Sequence, residues 1–385
     1  MNFIRKPWQY NARPLPKNVR YIPYYEPGKY DLAILHIDQQ AIDPMIGKGK
    51  LYRHLNEAIK DIPKIVINHG TPDWPERWES AGSWCWKMPL EVEKAGSKAI
   101  KVYQRDFLIE GGQTIQKDEL VEIEGLKKLI GNNTMVVNSF EAAKQWGFGI
   151  PIWHGINPDD WFYKLPKEPR SVIVMGPAGL DHYYGRFLLN DTKSKLRDNY
   201  GLRLIQIGEP HEWTIQKHRR FSSGEWDGFR AYRDYLGRSL IYVNLTQESP
   251  MPRGRTEAML SGLCTLTTPF QDADKFINCD TRLIWKNVEG IGEYIKVIDE
   301  LIITQKDING FIIPNNPLPI AALVNHLIYK RYNEAVRIGL NGRKTAKKLF
   351  NPDRYNSEWT DLLNRVIKEF HDQRSKTDKS PVKTA

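Results

Sequence analysis

The segment from Glu248 to Cys264, ESPMPRGRTEAMLSGLC, brings two arginines, a glycine and two acids to the entrance of a helix-forming run. Guanidinium groups and the unpaired N–H groups of a first helical turn are the groups that hold phosphate. A carboxylate repels phosphate but accepts well from ribose or sugar hydroxyls. Arg253, Arg255 and Glu257 together therefore predict a site for a sugar joined to a nucleoside diphosphate. Pro250 and Pro252 stiffen the loop, Gly254 lets backbone approach a ligand closely, and Thr256 is expected to cap the helix. Ser249 and Met251 stand in the same loop, within reach of such a donor. Taken alone, these residues also suit a rigid loop before a capped helix, its arginines in water.

Other stretches carry chemistry-bearing side chains. VMGPAGLDHYYGRF is a glycine-rich turn with Gly176 and Gly179, followed by Arg186 and, more weakly, Lys193 and Lys195. His69, in KIVINHGTPDW, ends a predicted strand beside Gly70, where an imidazole can hydrogen-bond a sugar or acceptor hydroxyl or serve as a structural residue. Trp74, Trp78, Trp84 and Trp86 fall in the following loop, as an acceptor platform or a small satellite core. The D-x-D of QDADKF, Asp272 and Asp274, follows Pro269 at a predicted helix start where acids are expected anyway, so no metal is assigned.

Elements must position these groups. Short apolar runs ending in Gly, Asn, His or Pro recur as YDLAILHI, KIVINHG, KAIKVY, TMVVNS, SVIVMG, LRLIQIG, SLIYVNLT and LCTLTTP, several of them separated by helix-length segments. That pattern predicts parallel strands with crossover helices, an α/β fold. The series breaks between residues 157 and 170, a Pro-, Asp- and Lys-rich linker. Beyond it the expected succession is strand 171–176, helix 187–199, strand 202–208, helix 226–237, strand 239–245, helix from 255 and strand 263–268. In an open sheet of this kind the ligand lies beyond the carboxyl ends of the strands, where Glu248 to Glu257 would emerge. The segment 279–307 is less readable, and helices are expected over 318–349 and 353–371.

The string ESPMPRGRTEAMLSGLCTLTT resembles the donor-site signature of retaining family 4 glycosyltransferases of the GT-B fold, with EAMLSGLCTLTT closest to it. DINGFIIPNNP, NSFEAAKQWGF with IPIWHGINPDDWF, and the C-terminal GLNGRKTAKKLFNPDRYNSEW resemble further passages of the family. The resemblance runs from about residue 130 to 370. It implies two Rossmann-like domains with a cleft between them. Residues 1–165 would bind the acceptor, 166–350 the nucleotide sugar, 351–371 would form a helix returning to the first domain, and 372–385 a disordered tail. It implies a UDP- or GDP-sugar donor, retention at the anomeric carbon, no metal, Arg186 holding the donor diphosphate, and His69 in the cleft. Glu248 and Glu257 are nine positions apart, one more than in the family, so Ser249 competes with Glu248 for the first acidic position. The family's Gly-Gly loop near the N-terminus has no counterpart.

The chain has 385 residues, enough for two domains, with 41% hydrophobic and 26% charged residues, a soluble balance. No signal-like N-terminus and an odd set of cysteines (Cys85, Cys264, Cys279) suggest a cytoplasmic protein. Net charge is +10, which points to an anionic partner. Arg5, Lys6, Arg13, Lys17 and Arg20 alternate with Trp8, Tyr10, Tyr21, Tyr24 and Tyr25, a pattern that suits nucleic acid or an arm packed on the first domain. The favoured acceptor is a hydroxymethylated base in DNA, as for phage-type DNA-modifying members. A glycan or lipid at a membrane surface, nucleotide-sugar epimerisation and non-catalytic nucleic-acid binding are the alternatives.

Overall fold

A computed structural model describes residues 2–3, 18, 20–21, 25–38, 41, 47–70, 108–110, 113–115, 119–175, 185–208, 227–246 and 252–377. Besides two two-stranded pairs (Asn2–Phe3 with Arg20–Tyr21, and Leu108–Glu110 with Gln113–Ile115), two larger parallel sheets carry them, each in its own α/β unit. The first has four strands paired in chain order: β1 (Ala33–Ile37), β2 (Lys64–Asn68), β3 (Thr134–Val137) and β4 (Ile150–Pro151). Helices α1 (Gly47–Ala58), α2 (Glu119–Ile130) and α3 (Phe140–Trp146) lie between them in the chain. Adjacent residues of a strand point to opposite faces. Accordingly Val66 joins Leu35, Ile37, Tyr52, Leu126 and Trp146 on one side, while Ile65 joins Val136 and Ile152 on the other.

The second unit contains β5 (Glu168–Met175), α4 (Arg186–Tyr200), β6 (Leu204–Gly208), α5 (Asp227–Arg238), β7 (Ser239–Asn244), α6 (Arg253–Leu260), β8 (Cys264–Thr267) and β9 (Phe311–Ile312). Its order is β6-β5-β7-β8-β9 with every pair parallel. Counted within the unit this is 2-1-3-4-5, the doubly wound arrangement whose winding reverses between its first and third strands, here β5 and β7. All six residues of β7 are buried. Ile241 and Val243 face one core and Tyr242 the other, which is why SLIYVN reads as an unbroken apolar run.

Short helices α7 (Ala273–Phe276) and α8 (Arg282–Lys286) precede α9 (Ile291–Thr304), α10 (Pro317–Tyr329), α11 (Tyr332–Leu349) and α12 (Pro352–Thr377). α9 occupies the segment least readable in the sequence, and it buries Tyr294, Ile298 and Ile302, one every fourth residue. α12 covers the outer face of the first sheet, where Leu362 and Val366 pack on Ile65, Val136 and Ile152. It runs on through residues 372–377, where a disordered tail was expected. No breaker interrupts that stretch, and Arg374 Nη1 donates to the Asp61 carbonyl at 3.3 Å. Residues 378–385 lie outside the described set.

The connection between the units is fastened to the second one. Lys167 is buried, and its ammonium donates to the carbonyls of Gly237 (2.5 Å) and Ser261 (2.7 Å), at the C-terminal ends of α5 and α6. Burial pushes its pKa down to about 7, with the neighbouring Arg343 charge adding to the effect. Among the described residues no helix is long and apolar enough to cross a membrane.

Candidate functional site

Two helices open at the switch point between β5 and β7. α4 begins after Gly185, whose φ of +68° is left-handed, and a Cβ there would lie 2.0 Å from the Leu245 carbonyl oxygen just past β7. α6 begins after Pro252. A Cβ on Gly254 would stand 3.0 Å from the Tyr242 hydroxyl and 3.4 Å from Val174 Cβ, so glycine lets the first turn of α6 lie close over β5 and β7. Among the described residues no side chain caps the N-terminus of either helix. The positive ends of two helix dipoles therefore meet where a doubly wound sheet takes its ligand.

The charged residues of α6 divide around its axis. Arg253 is about half exposed, and its Nε stands 3.9 Å from Glu257 Oε1. Glu257 is buried, and its other oxygen accepts from the Tyr232 hydroxyl at 2.8 Å. One carboxylate oxygen is thus fixed by α5, and the other lies beside the Arg253 guanidinium. The Arg253 charge also opposes the rise that burial causes in the Tyr355 pKa, which brings the start of α12 close to this region.

Arg255 departs from the expectation that both arginines face one place. Its guanidinium is fully buried, donating to the carbonyls of Phe270 (2.7 Å) and Gln271 (2.6 Å) and to Thr267 Oγ1 (3.3 Å), over the ring of Phe276. Desolvation lowers its pKa to about 10. The physical reason is helical geometry: residues two apart point about 200° apart around the axis. Thr256 departs as well. The helix starts at Arg253, so Thr256 lies beyond the capping position, and its hydroxyl is 2.9 Å from His154 Nε2 in the segment joining the units.

Arg186 is the first residue of α4, at the switch point. Lys193, further along α4, donates to Gln206 Oε1 on β6 at 3.0 Å. Gly176, Gly179, Glu248, Ser249 and Met251 lie outside the described residues, as do the tryptophans at 74, 78, 84 and 86 and nearly all of the basic-aromatic N-terminal stretch.

At the carboxyl end of the first sheet, His69 follows β2 and meets a residue the sequence did not single out. His36, on β1, places its Nδ1 2.9 Å from His69 Nε2. The ring planes are within 7° of each other and the ring centres 5.2 Å apart, which fits two rings lying edge to edge in nearly one plane. Asn68 is fully buried beside them in the chain. Its Oδ1 accepts from Gly70 N at 2.9 Å, and its Nδ2 has no partner among the described residues. Only the strand register, which pairs His36 with Ile67 and Ile37 with Asn68, aligns the two histidines. The signal was present in the sequence as two apolar runs that each reach a histidine.

The D-x-D acid also has an unanticipated task. Asp272, in the second unit, accepts from Phe140 N (2.7 Å), Glu141 N (2.9 Å) and Trp153 Nε1 (2.7 Å) of the first. Glu141 returns the bond by accepting from Asp272 N at 3.2 Å, and Ser139 Oγ donates to Gln271 Oε1. The result is a reciprocal capping arrangement built across the two units. The carbonyls held by Arg255 belong to the same loop, so the buried arginine of α6 supports the contact between units. Among the described residues no group of three or more His, Cys, Asp or Glu side chains is placed to hold a metal.

No protein-family model matches the chain, and no curated protein sequence matches it. Among solved structures it is similar to TarM, at 12% identity and a TM-score of 0.48, over 86% of this chain and 54% of TarM. The chain thus spans about half the length of TarM. It is similar to sucrose-phosphate synthase from Thermosynechococcus elongatus, at 13% identity and a TM-score of 0.47, over 88% of this chain and 100% of that one. It is also similar to HepE from Anabaena, solved with UDP and glucose, at 13% identity and a TM-score of 0.44, over 87% and 100%.

Proposed function

We propose that the protein is a retaining, metal-independent glycosyltransferase of the GT-B fold, with its nucleotide-sugar donor held by the second unit. The observation that carries this reading is the convergence, at the switch point of a 2-1-3-4-5 sheet, of Arg253, the buried Glu257 carboxylate and two helix N-termini that no described side chain caps. Amide N–H groups of α4 and α6, with Arg253 and Arg186, receive the diphosphate of a UDP- or GDP-sugar. Glu257, held by Tyr232, accepts from donor hydroxyls. Glu248 or Ser249, with Met251, Gly176 and Gly179, completes the donor loops. Residues 1–165 supply the acceptor side and His69 faces the reacting sugar. An acceptor hydroxyl attacks the anomeric carbon, the bond to the diphosphate breaks, and the hydroxyl proton passes to the departing phosphate oxygen. Helix-terminal amides and Arg253 stabilise the charge that develops there.

The acceptor reading is a hydroxymethylated base in DNA. It is supported by the net charge of +10 and by the alternation of basic and aromatic residues near the N-terminus. Thermal-shift measurements with UDP-, GDP-, ADP- and TDP-sugars test the donor, since a ligand that binds only the folded state raises the melting temperature. One nucleotide class is expected to stabilise the protein and none of the others to do so equally. If none stabilises it, the donor site is misread. Labelled sugar should then enter DNA containing hydroxymethylcytosine, whereas transfer to a glycan or lipid alone would reject DNA and keep the enzyme class.

A further inference from the structure

Gln271 and Asp272 both hold left-handed backbone, at φ +48° and +58°, and neither is glycine. Aspartate visits that region as a single residue and glutamine seldom does, so two in succession are held there only by what surrounds them. The hold comes from two sides. Within the second unit, Arg255 donates to the Phe270 and Gln271 carbonyls at 2.7 and 2.6 Å. From the first unit, Ser139 Oγ donates to Gln271 Oε1, while Phe140 N and Glu141 N donate to the Asp272 carboxylate at 2.7 and 2.9 Å. Trp153 Nε1, in the segment joining the units, also donates to Asp272 at 2.7 Å. Arg255 lies in the first turn of α6, and the next residue, Thr256, stands 2.9 Å from His154 Nε2 in the same joining segment. Both residues are fully buried.

We propose that the turn at 270–272 is a strained latch that couples the entrance of α6 to the contact between the units. Neither side holds the turn alone. Without Arg255 the backbone relaxes and withdraws the Asp272 carboxylate from α3, and without the bonds to α3 it turns the two carbonyls away from Arg255. A ligand that orders the first turn of α6 therefore tightens the grip on the first unit, and by linkage that grip raises affinity for the ligand. The part played by a ligand rests on the nucleotide-sugar reading. The latch itself does not.

Amide hydrogen exchange of the full chain tests both parts, followed at residues 140–141, across α6, and in β3 as the control for general loosening. Arg255→Lys keeps the charge but not the forked donors. It should speed exchange at 140–141 about tenfold with β3 unchanged, although Arg255 bonds to neither residue. Adding Gln271→Gly, which takes left-handed φ without strain, should restore the protection despite the lost Ser139 bond. Exchange at 140–141 that ignores Arg255→Lys, or that Gln271→Gly does not restore, overturns the latch. If Arg255→Lys does not fold, Trp153→Phe tests the same link from the other side: it keeps the ring, removes one bond to Asp272, and should speed exchange across α6, where no change overturns the latch. The nucleotide sugar with the strongest thermal shift should slow exchange at 140–141 and bind Trp153→Phe about threefold more weakly. A donor that protects α6 but leaves 140–141 unchanged overturns the coupling to ligand. If no nucleotide sugar binds, the donor reading falls, and the exchange of the ligand-free protein still decides the latch.

Discussion

Asn68 ends β2 and Asn244 ends β7, and each side-chain oxygen accepts from the backbone N–H two residues on, Gly70 at 2.9 Å and Thr246 at 3.0 Å. The two sheets finish their central strands with the same turn but surround it differently. At the second sheet, α4 and α6 present N-termini that no described side chain caps. At the first, the N-terminus of α3 is already occupied by Ser139 Oγ and by both oxygens of Asp272. Positive helix ends attract anions only where their N–H groups are unspent. The second sheet therefore keeps positive helix ends without side-chain caps from the described residues, while the first spends its own on Ser139 and Asp272.

Exchanging the roles of the two α6 arginines gives the largest contrast. Arg255→Met strands the carbonyls of Phe270 and Gln271 and should cost about 3 kcal/mol or more in denaturant unfolding. Next, Gly185→Ala drives a methyl into the Leu245 carbonyl and strains a left-handed residue, so α4 must shift. A loss of about 2 kcal/mol together with weakened donor binding is expected. Asp272→Ala uncaps α3 and frees the Trp153 indole, and should cost about 2 kcal/mol. Asp272→Asn should cost less, because asparagine keeps an acceptor and tolerates the residue's φ of +58°. An Ala variant as stable as wild type would remove the clamp between units.

Lys167 gives a pH test of the connection. Its folded-state pKa, about 7, lies below its unfolded value of 10.5, so the unfolded chain binds the extra proton between them. Its contribution to stability should rise as pH climbs from about 7 towards 10.5 and be flat below 7. Comparison with Lys167→Met isolates it: the wild-type gain over the variant should grow across that window. A constant difference would mean that the ammonium is charged throughout.

Much of this was legible in the chain. The strands SVIVM, LIQIG, LIYVN and CTLT could be read because strands covered on both faces are continuous apolar runs. Arg253, Arg255 and Glu257 were legible together by residue type, guanidinium and carboxylate groups at a helix entrance. With that entrance set two residues late, Arg255 appeared to face the same place as Arg253, whereas inside the helix the two point about 200° apart. His36 was hidden because its partner is fixed by register between strands with 26 residues between Ile37 and Lys64. Gln271 and Asp272 adopt positive φ without being glycine, held by bonds from Arg255 and α3 that no local pattern announces.

The central claim is that the α6 entrance, through Arg253 and not Arg255, holds the diphosphate of a nucleotide sugar. Calorimetric titration of wild type and Arg253→Ala with the nucleotide sugar that gives the strongest thermal shift tests it directly. Arg253 is exposed, so the variant should keep its stability to within about 0.5 kcal/mol. It should bind the donor at least about tenfold more weakly, the worth of one charge-assisted phosphate contact. Equal affinity in the two proteins would contradict the claim.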